Sequence, residues 1–244
     1  MTSTVAQTGT QTGTQTATLA VSTVIFALSP NNKGQLALTI PLVRRIRDPF
    51  DGMWALPGGP LAPEEDLDAA AARNLAETTG LEPKYLEQLY AFGNVDRSDG
   101  QIKTERVVSI VYWALVGSQE ARQAIQDDNV RWFAADALPE LAFDHNVIVE
   151  YALNRLRNKI EYARIAHGFL EETFTLTQLR DVYEAVLGRA LDPGNFRRTV
   201  EASGEIVATG KRLMGTKHRP PQLYQYKRDI PTPFSSEKQE KPND

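Results

Sequence analysis

Residues 58–81 carry most of the information about the fold, and they read Gly58-Gly59-Pro60-Leu61-Ala62-Pro63-Glu64-Glu65-Asp66-Leu67-Asp68-Ala69-Ala70-Ala71-Ala72-Arg73-Asn74-Leu75-Ala76-Glu77-Thr78-Thr79-Gly80-Leu81. Helical signals begin at Glu64: acidic residues occupy the first turn, alanines fill the middle, and Gly80 is the stop signal. Asn74, Glu77 and Thr78 stand at i, i+3 and i+4, so their side chains share one helix face. Because Mg²⁺ is held by several oxygen ligands, the single carboxylate of Glu77 makes this face a poor metal cage.

The same stretch resembles a Nudix box, whose pattern is Gly, five residues, Glu, seven residues, and then Arg-Glu-apolar-any-Glu-Glu-any-Gly-apolar. The residues in register with this pattern are Gly59, Glu65, Arg73, Leu75, Glu77, Gly80 and Leu81. Asn74 and Thr78 stand where the family places two glutamates. The resemblance implies that Glu65 and Arg73 brace the loop against the helix. It also implies a scaffold that senses a nucleotide without cutting it, so we expect no catalytic residues and no bound metal.

Composition limits the class of protein. The chain has 244 residues, of which 41% are hydrophobic and 24% charged, as is typical of a soluble protein with a folded core. No apolar run approaches the roughly eighteen residues that cross a bilayer, and nothing resembles a signal peptide. Cysteine is absent, and the histidines at positions 145, 167 and 218 lack metal-site spacing. We therefore expect a cytoplasmic protein without a membrane partner, disulfides or a histidine metal centre.

The two ends differ in composition from the rest of the chain. Residues 1–18 are rich in Thr, Gln and Gly, and residues 229–244 are rich in Pro, Ser, Lys and Glu. Segments this poor in apolar side chains cannot offset the entropy lost on ordering. Both are therefore predicted to be disordered tails.

Residues 19–143 have the pattern of a mixed domain. The strand-like runs are residues 19–28, 36–43, 90–94, 107–116 and 130–133. The run 107–116 is apolar on both faces, which predicts a buried central strand. With the helix after Glu64, these runs predict an α+β fold, namely an N-terminal Nudix-like α/β/α sandwich.

A helical period begins after Phe143. Asp144 is the expected N-cap. An apolar stripe recurs at helical spacing and consists of Ile148, Ala152, Leu156, Ile160 and Ala163. The pattern predicts a linker helix over residues 144–168. The stripe has two possible uses: contact with a second copy in a dimer, or packing onto the chain's own domains.

Residues 169–228 show the signals of a winged helix-turn-helix domain. Thr175 and Gln178 predict a capping box, and Asp192-Pro193 predicts the start of the next helix. Two helices joined by a short turn, with polar side chains near the start of the second, form the arrangement that reads a DNA major groove. The side chains expected to face DNA there are Asn195, Arg197 and Arg198.

A β-ribbon is predicted after this helix from the strand-like residues 206–208 and 223–226. The candidate DNA contacts between them are Lys211, Arg212, Lys217, His218 and Arg219. The ribbon is basic although the chain carries a net charge of −4, so positive charge is concentrated where a wing would meet phosphates. The alternative is a basic hairpin that is merely solvated; its position after a helix-turn-helix pattern favours DNA.

The order of these parts resembles the Nudix-related transcriptional regulators of NAD metabolism, with matching segments at residues 174–184, 195–198 and 219–224. The resemblance implies a bacterial repressor of NAD biosynthesis or salvage genes that binds double-stranded operator DNA as a homodimer at the nucleoid. It implies ADP-ribose as the effector that releases the operator, and no cofactor.

The resemblance also implies an effector site around the box. Relatives place arginines before the box against phosphates, and the planar guanidinium suits this role because it binds oxygens with two parallel hydrogen bonds. The residues expected in the site are Arg44, Arg45, Trp54, Gly58, Gly59, Glu77, Asp96 and Arg106. The alternatives are that the arginines pair with surface carboxylates and that Trp54 belongs to the core.

Other functions remain compatible with the sequence. An active Mg²⁺-dependent ADP-ribose pyrophosphatase with a DNA-binding appendage would use Glu65 and Glu77, assisted by Glu82 or Asp96. A regulator of this architecture could respond to a sugar-derived ligand instead. The Nudix fold could also serve only as a scaffold for the dimer.

Overall fold

The computed structural model describes residues 17–82, 85–94, 97, 106–117, 121, 128–161, 164–215 and 220–227. The strands of its N-terminal part are β1 (Ala17–Pro30), β2 (Leu36–Arg44), β3 (Trp54–Ala55), β4 (Gly58–Pro60), β5 (Tyr85–Phe92), β6 (Arg106–Val116) and β7 (Val130–Ala134). Two helices lie within the described residues of this part, α1 (Leu67–Thr79) and α2 (His145–Ile160). A 3₁₀ helix (Arg164–Phe169) leads to α3 (Leu176–Leu187), α4 (Pro193–Ser203) and the ribbon of β8 (Ile206–Arg212) and β9 (Gln222–Tyr226).

One seven-stranded mixed sheet organises the N-terminal part. Strands β3, β2, β1, β6 and β5 lie side by side in that order, while β4 pairs with β1 and β7 with β2. β1 and β6 are parallel, and their pairing runs from Ala17 opposite Arg106 to Ala27 opposite Val116. Both are largely buried in the middle of the sheet, so their sequences read as continuous apolar runs. The buried central strand predicted at residues 107–116 is confirmed.

The helices α1 and α2 cover opposite faces of this sheet. Successive side chains of a strand point to opposite faces. Val24 and Phe26 of β1 belong to the core that α2 completes, whereas Ile25 and Ala27 pack with Leu75 of α1. The architecture is therefore an α/β/α sandwich, as predicted.

The helix of residues 58–81 begins later than predicted. α1 starts at Leu67, with Asp66 as its N-cap. The N–H of Glu65 donates to the carbonyl of Ala62 at 3.2 Å, so residues 64 and 65 lie in a turn in front of the helix. The helix ends at Gly80, whose φ of 71° is a left-handed conformation that glycine adopts at little cost.

Four further features differ from the sequence predictions. β5 spans Tyr85–Phe92 rather than residues 90–94, because its pairing with β6 already begins at Tyr85 and continues through a bulge. The short strands β3 and β4 were not predicted, since two or three residues give no periodic signal. Asp144 stands at the N-cap of α2, but its side chain makes no capping bond because its carboxylate pairs with Arg97.

The helix α2 packs into the N-terminal part. The described residues of the predicted stripe are fully buried in the main hydrophobic core, and they are Ile148, Ala152, Leu156 and Ile160. Ala163 lies outside the described residues. The stripe is thus used inside the chain rather than left as a free face for a second copy. The same core continues through the 3₁₀ helix into α3 and β8.

The C-terminal part has the caps that the sequence predicts. The hydroxyl of Thr175 accepts from the N–H of Gln178 at 3.1 Å, and the Gln178 side chain accepts from the N–H of Thr175 at 2.8 Å. The Asp192 carboxylate accepts from the N–H of Asn195 at 2.7 Å, and Pro193 opens α4. β8 and β9 pair antiparallel behind these helices. Among the described residues, no helix has the length and apolar character to cross a membrane.

Candidate effector site and nucleic-acid interface

An ion pair braces the turn in front of α1. Two nitrogens of Arg73 reach Glu65, with Nε–Oε1 at 2.7 Å and Nη2–Oε2 at 3.0 Å. The hydrogen bond to Glu65 is the largest cause of the raised pKa of Arg73, and the same bond lowers the pKa of Glu65. Arg73 Nη1 also donates to Oε2 of the exposed Glu77 at 3.3 Å. The brace expected between Glu65 and Arg73 is present, and it engages the remaining box carboxylate as well.

Asn74 and Thr78 face the sheet and are only 5% and 6% exposed. Asn74 Nδ2 donates to the carbonyl of Val21 at 3.1 Å, which ties α1 to β1. Thr78 Oγ1 donates to the carbonyl of Asn74 at 2.7 Å, one helical turn back. Both side chains are thus bonded within the scaffold. In the described parts of the chain, no group of three His, Asp or Glu residues is placed to hold a metal ion.

The glycine pair lies on β4, directly beside β1. Gly58 stands opposite Ser22, and Gly59 opposite Val21. A Cβ at Gly58 would lie 2.5 Å from the carbonyl oxygen of Val21, so the close approach of the two strands requires glycine there. A Cβ at Gly59 would meet nothing within 4 Å. Gly58 therefore serves packing, while Gly59 leaves open space that a ligand can approach.

Arg44 and Arg45 hold the loop between β2 and β3. Arg44 Nε donates to the carbonyl of Gly52 at 3.3 Å. Arg45 Nε donates to the carbonyl of Pro49 at 2.8 Å, and its guanidinium lies 4.7 Å from the centre of the Phe143 ring. Burial lowers the pKa of Arg45 from its ordinary value. These hydrogen bonds go to backbone carbonyls rather than to surface carboxylates.

The remaining effector candidates are spread over the sheet. Trp54 stands opposite Arg44 in the β2–β3 pairing and packs edge-on against Phe133, with ring centres 5.2 Å apart. Arg106 is exposed at the start of β6, and its Nη2 donates to a backbone carbonyl just after β5 at 3.1 Å. Asp96 lies outside the described residues. Trp54 and Arg44 are thus neighbours, whereas Arg106 is bonded to another segment of the chain.

A polar cluster at the start of α2 was not predicted. Arg97 Nε and Asp144 Oδ2 form an ion pair at 2.5 Å. Beside it, His145 Nδ1 accepts from the N–H of Leu56 at 3.0 Å, in the loop that leads to Gly58. Burial lowers the pKa of His145 to about 4, so this ring is neutral at neutral pH. The cluster connects the box loop to α2 through contacts between distant positions, which leave no local sequence signal.

The helix α4 is exposed over most of its surface. None of its residues is buried, and Asn195, Arg197 and Arg198 all face solvent. Arg197 Nε pairs with Oε1 of Glu201 at 3.0 Å, and Arg198 donates to the side-chain oxygen of Asn195. Exposed pairs of this kind contribute little free energy, so these side chains can turn to another polar partner at small cost.

A cavity of about 520 Å³ lies behind α4, against α3 and β8. Its wall includes Tyr183 and Phe196, whose ring centres are 5.2 Å apart. Burial is the main cause that raises the pKa of Tyr183 to about 12. Because Phe196 and Val200 are only partly buried, α4 rests on few apolar side chains. The cavity includes none of the box residues.

The ribbon carries two of the predicted basic contacts within the described residues. Lys211 and Arg212 are exposed on β8. Arg212 Nη1 donates to the carbonyl of Pro220 at 2.9 Å, across the ribbon. Lys217, His218 and Arg219 lie outside the described residues. The described DNA-binding candidates therefore lie on α4 and β8, which contact each other.

An α/β/α sandwich built around a Nudix box, joined to a helix-turn-helix and a ribbon, defines a Nudix-fold protein with a DNA-binding domain. Residues 18–152 match the family model of the NUDIX domain, and residues 166–226 match the NrtR DNA-binding winged helix domain. The predicted fold is thereby confirmed. The chain belongs to the NrtR family of Nudix-related transcriptional regulators.

The similarity to characterised members covers most of the chain. The chain is 35% identical over 209 residues to the ADPR responsive transcriptional repressor NtrR of Acinetobacter baylyi. The match covers 84% of this chain and 81% of the relative. The crystal structure of Shewanella oneidensis NrtR matches with a TM-score of 0.71 at 36% identity, covering 86% of this chain and 94% of the other. The same protein complexed with a 27mer DNA matches with a TM-score of 0.72 at 34% identity, covering 86% and 93%.

Proposed function

We propose that this chain is an ADP-ribose-responsive transcriptional repressor of NAD biosynthesis or salvage genes. One combination supports the proposal most strongly: a Nudix sandwich whose box face is occupied by Asn74 and Thr78 is joined to a helix that presents Asn195, Arg197 and Arg198. The Acinetobacter relative is an ADPR responsive repressor, and the Shewanella relative has been crystallised with DNA. ADP-ribose in the N-terminal site would release the operator.

In this proposal ADP-ribose is bound without being hydrolysed. Hydrolysis at a Nudix box needs carboxylates that gather Mg²⁺ around the pyrophosphate. Asn74 and Thr78 supply no charge, and Glu77 is engaged by Arg73 at 3.3 Å. Glu65 is bonded to the same arginine. The carboxylates of the box thus stabilise the scaffold instead of a metal.

The effector site that we propose is centred on Arg44, Arg45, Trp54 and the glycine pair. The side-chain hydrogen bond described for Arg44 uses Nε, which leaves its two terminal nitrogens for phosphate oxygens. Gly59 leaves space beside the backbone for a pyrophosphate. The proposed site also includes Glu77, Asp96 and Arg106. Glu77 pairs with Arg73 at 3.3 Å, and in the proposal this pair opens when a ligand binds.

In the proposal, α4 reads the bases in the major groove. The basic residues of the ribbon contact phosphates, and they are Lys211, Arg212, Lys217, His218 and Arg219. A dimer is part of the proposal because helix-turn-helix proteins read two half-sites about one helical turn apart. ADP-ribose can release DNA only if it binds the two arrangements of that dimer with different affinity.

The test is an enrichment of genomic fragments from the source organism on immobilised full-length protein, followed by elution with ADP-ribose. We expect the eluted fragments to share a two-fold symmetric site and to lie upstream of NAD biosynthesis or salvage genes. AMP with ribose 5-phosphate, the products of hydrolysis, is the matched control and should elute nothing. Retention of the specific fragments in saturating ADP-ribose would reject the proposal.

A further inference from the structure

The helix α2 is fixed to the N-terminal sandwich near both of its ends. At its start, Asp144 pairs with Arg97 at 2.5 Å. Near its end, Lys159 is only 8% exposed, and its Nζ lies 2.6 Å from Oε2 of Glu87 and 2.9 Å from the hydroxyl of Tyr85. This ion pair is largely withdrawn from water, with the Lys159 and Glu87 side chains 10% and 19% exposed, so breaking it leaves the lysine charge mostly desolvated. The helix therefore moves with the sandwich.

Arg157, on this fixed helix, joins the sandwich to the winged helix. Its Nη2 donates to Oδ1 of Asp136, just after β7, at 2.7 Å. Its Nε donates to the carbonyl of Val186, in the last turn of α3, at 3.0 Å. The terminal carbonyls of a helix lack partners in the helix, and a cation there is favoured by the helix dipole. One planar guanidinium thus links β7 to the last turn of α3, beside the apolar core that α3 already shares with the sheet.

The position of α3 also determines the position of α4. The turn between them is short, and its Leu191 N–H donates to Oε1 of Glu184 in α3 at 2.8 Å. Gly188 ends α3 with a φ of 67°, and a Cβ there would lie 3.7 Å from Arg157 Nη2. A second pair crosses the same boundary, between Arg189 and Glu161 at 3.4 Å, but both side chains are about 60% exposed. Such an exposed pair holds little free energy. Asp136 is also 59% exposed, so the part-buried bond from Arg157 to the carbonyl of Val186 contributes more to the link than the ion pair does.

We propose that Arg157 is the positioning residue that couples the effector site to the DNA-binding helix. With α2 fixed to the sandwich, a change in the sandwich reaches α3 through the bonds of Arg157 to Asp136 and Val186. Loss of these bonds leaves α3 held to the sandwich by the shared apolar core and the exposed Arg189–Glu161 pair, so α3 and the α4 that follows it take a wider range of orientations. This inference rests on the proposed function for its regulatory meaning, whereas the mechanical role of Arg157 is testable without it.

The mechanical test measures the distance between the two parts of the full-length chain. Because the chain has no cysteine, spin labels on introduced cysteines, Lys33→Cys and Ser203→Cys, report a single pair of sites. Labelled protein is diluted with excess unlabelled protein, so that pulsed electron paramagnetic resonance detects distances within one chain. The two test variants are Arg157→Gln and Asp136→Ala. Arg157→Gln removes the guanidinium, whereas Asp136→Ala removes only its bond to Asp136 and leaves its contact with α3. Arg155→Gln removes the same charge from an exposed position of the same helix and is the control.

We expect a broader distance distribution in Arg157→Gln and Asp136→Ala, and an unchanged one in Arg155→Gln. In parallel, the factor by which saturating ADP-ribose weakens operator binding should shrink by roughly two- to fivefold, because the link between the two parts is weakened. Unchanged distributions in both variants, or an unchanged effect of ADP-ribose on operator affinity, would overturn the inference. A wild-type protein whose DNA binding ignores ADP-ribose would instead reject the proposed function, and the distance measurement would still decide the role of Arg157.

Discussion

Asn74 and Thr78 are the two residues of the box helix that depart from the Nudix pattern. In the Nudix pattern their positions carry glutamates, and here both are buried and bonded to backbone carbonyls. Their helical spacing from Glu77 followed from the sequence alone, but the structure buries Asn74 and Thr78 against the sheet and leaves Glu77 exposed. Their bonds to Val21 and to the helix backbone did not follow from the sequence, because they depend on how α1 packs on β1.

Restoring the two glutamates should create a cation site. In Asn74→Glu with Thr78→Glu, three carboxylates with Glu77 would converge, and Mg²⁺ should relieve their mutual repulsion. We expect the melting temperature of this double variant to rise with added MgCl₂, while the wild type does not respond. Asn74→Gln with Thr78→Gln has the same size without the charge and serves as the control. No Mg²⁺ response in the glutamate variant would mean that the three side chains do not converge.

His145 should make stability depend on pH. Burial depresses the pKa of His145 to about 4, so below the pKa of an unfolded histidine, about 6.5, the unfolded chain takes up the proton first. The contribution of His145 to the free energy of unfolding is fully present above about pH 6.5 and is lost as the pH falls towards 4. We expect the wild type to lose about 2 kcal/mol between pH 7 and pH 5 relative to His145→Gln. Urea unfolding of both proteins at the two pH values measures this difference; equal losses would show that His145 is not the titrating group.

At the scale of elements, segments with local signals were predicted best. Thr175 with Gln178 and Asp192 with Pro193 predicted the starts of α3 and α4, because capping residues act on neighbouring backbone groups. The short strands β3 and β4 gave no such signal, since they exist only by pairing with longer strands. The Arg97–Asp144 pair was missed for the same reason.

The exposed face of α4 leads to a prediction of selective DNA binding. Arg197→Ala or Arg198→Ala should reduce affinity for the operator about 5- to 150-fold, since a good contact of arginine with a base contributes about 1–3 kcal/mol. Affinity for ADP-ribose and the melting temperature should stay at wild-type values, because none of α4 is buried. Arg131→Ala removes the same charge from an exposed position of β7 and is the control. Operator affinity that survives both α4 substitutions would mean that another element reads the bases.

The ribbon should act through phosphates rather than bases. Lys211→Ala is expected to weaken binding to operator and random duplexes alike, and to lower the slope of log affinity against log salt by about one, since one released counterion is lost. Binding measured over a series of salt concentrations gives this slope. Lys33→Ala, in the turn between β1 and β2, is the matched control. A loss confined to the operator would assign Lys211 to base recognition.

At the scale of the whole molecule, the two functional parts share one continuous core. Buried residues from the sheet, α2, the 3₁₀ helix, α3 and β8 belong to a single cluster, so the winged helix is not a loosely attached module. The order of parts was predicted from sequence and is confirmed by the family matches, while the domain boundaries stay predictions. A tenfold change in DNA affinity requires about 1.4 kcal/mol of difference between two arrangements. The free energy contributed by a few polar contacts, such as those of Arg157, is of this magnitude.

The central claim is that intact ADP-ribose controls DNA binding. Fluorescence anisotropy of an operator duplex, titrated with ADP-ribose in the presence of Mg²⁺, tests it when the nucleotide in the same samples is analysed by chromatography. We predict specific binding that ADP-ribose reverses, with the ADP-ribose recovered unchanged. Appearance of AMP and ribose 5-phosphate, with no specific DNA binding, would contradict the account and identify the chain as a hydrolase.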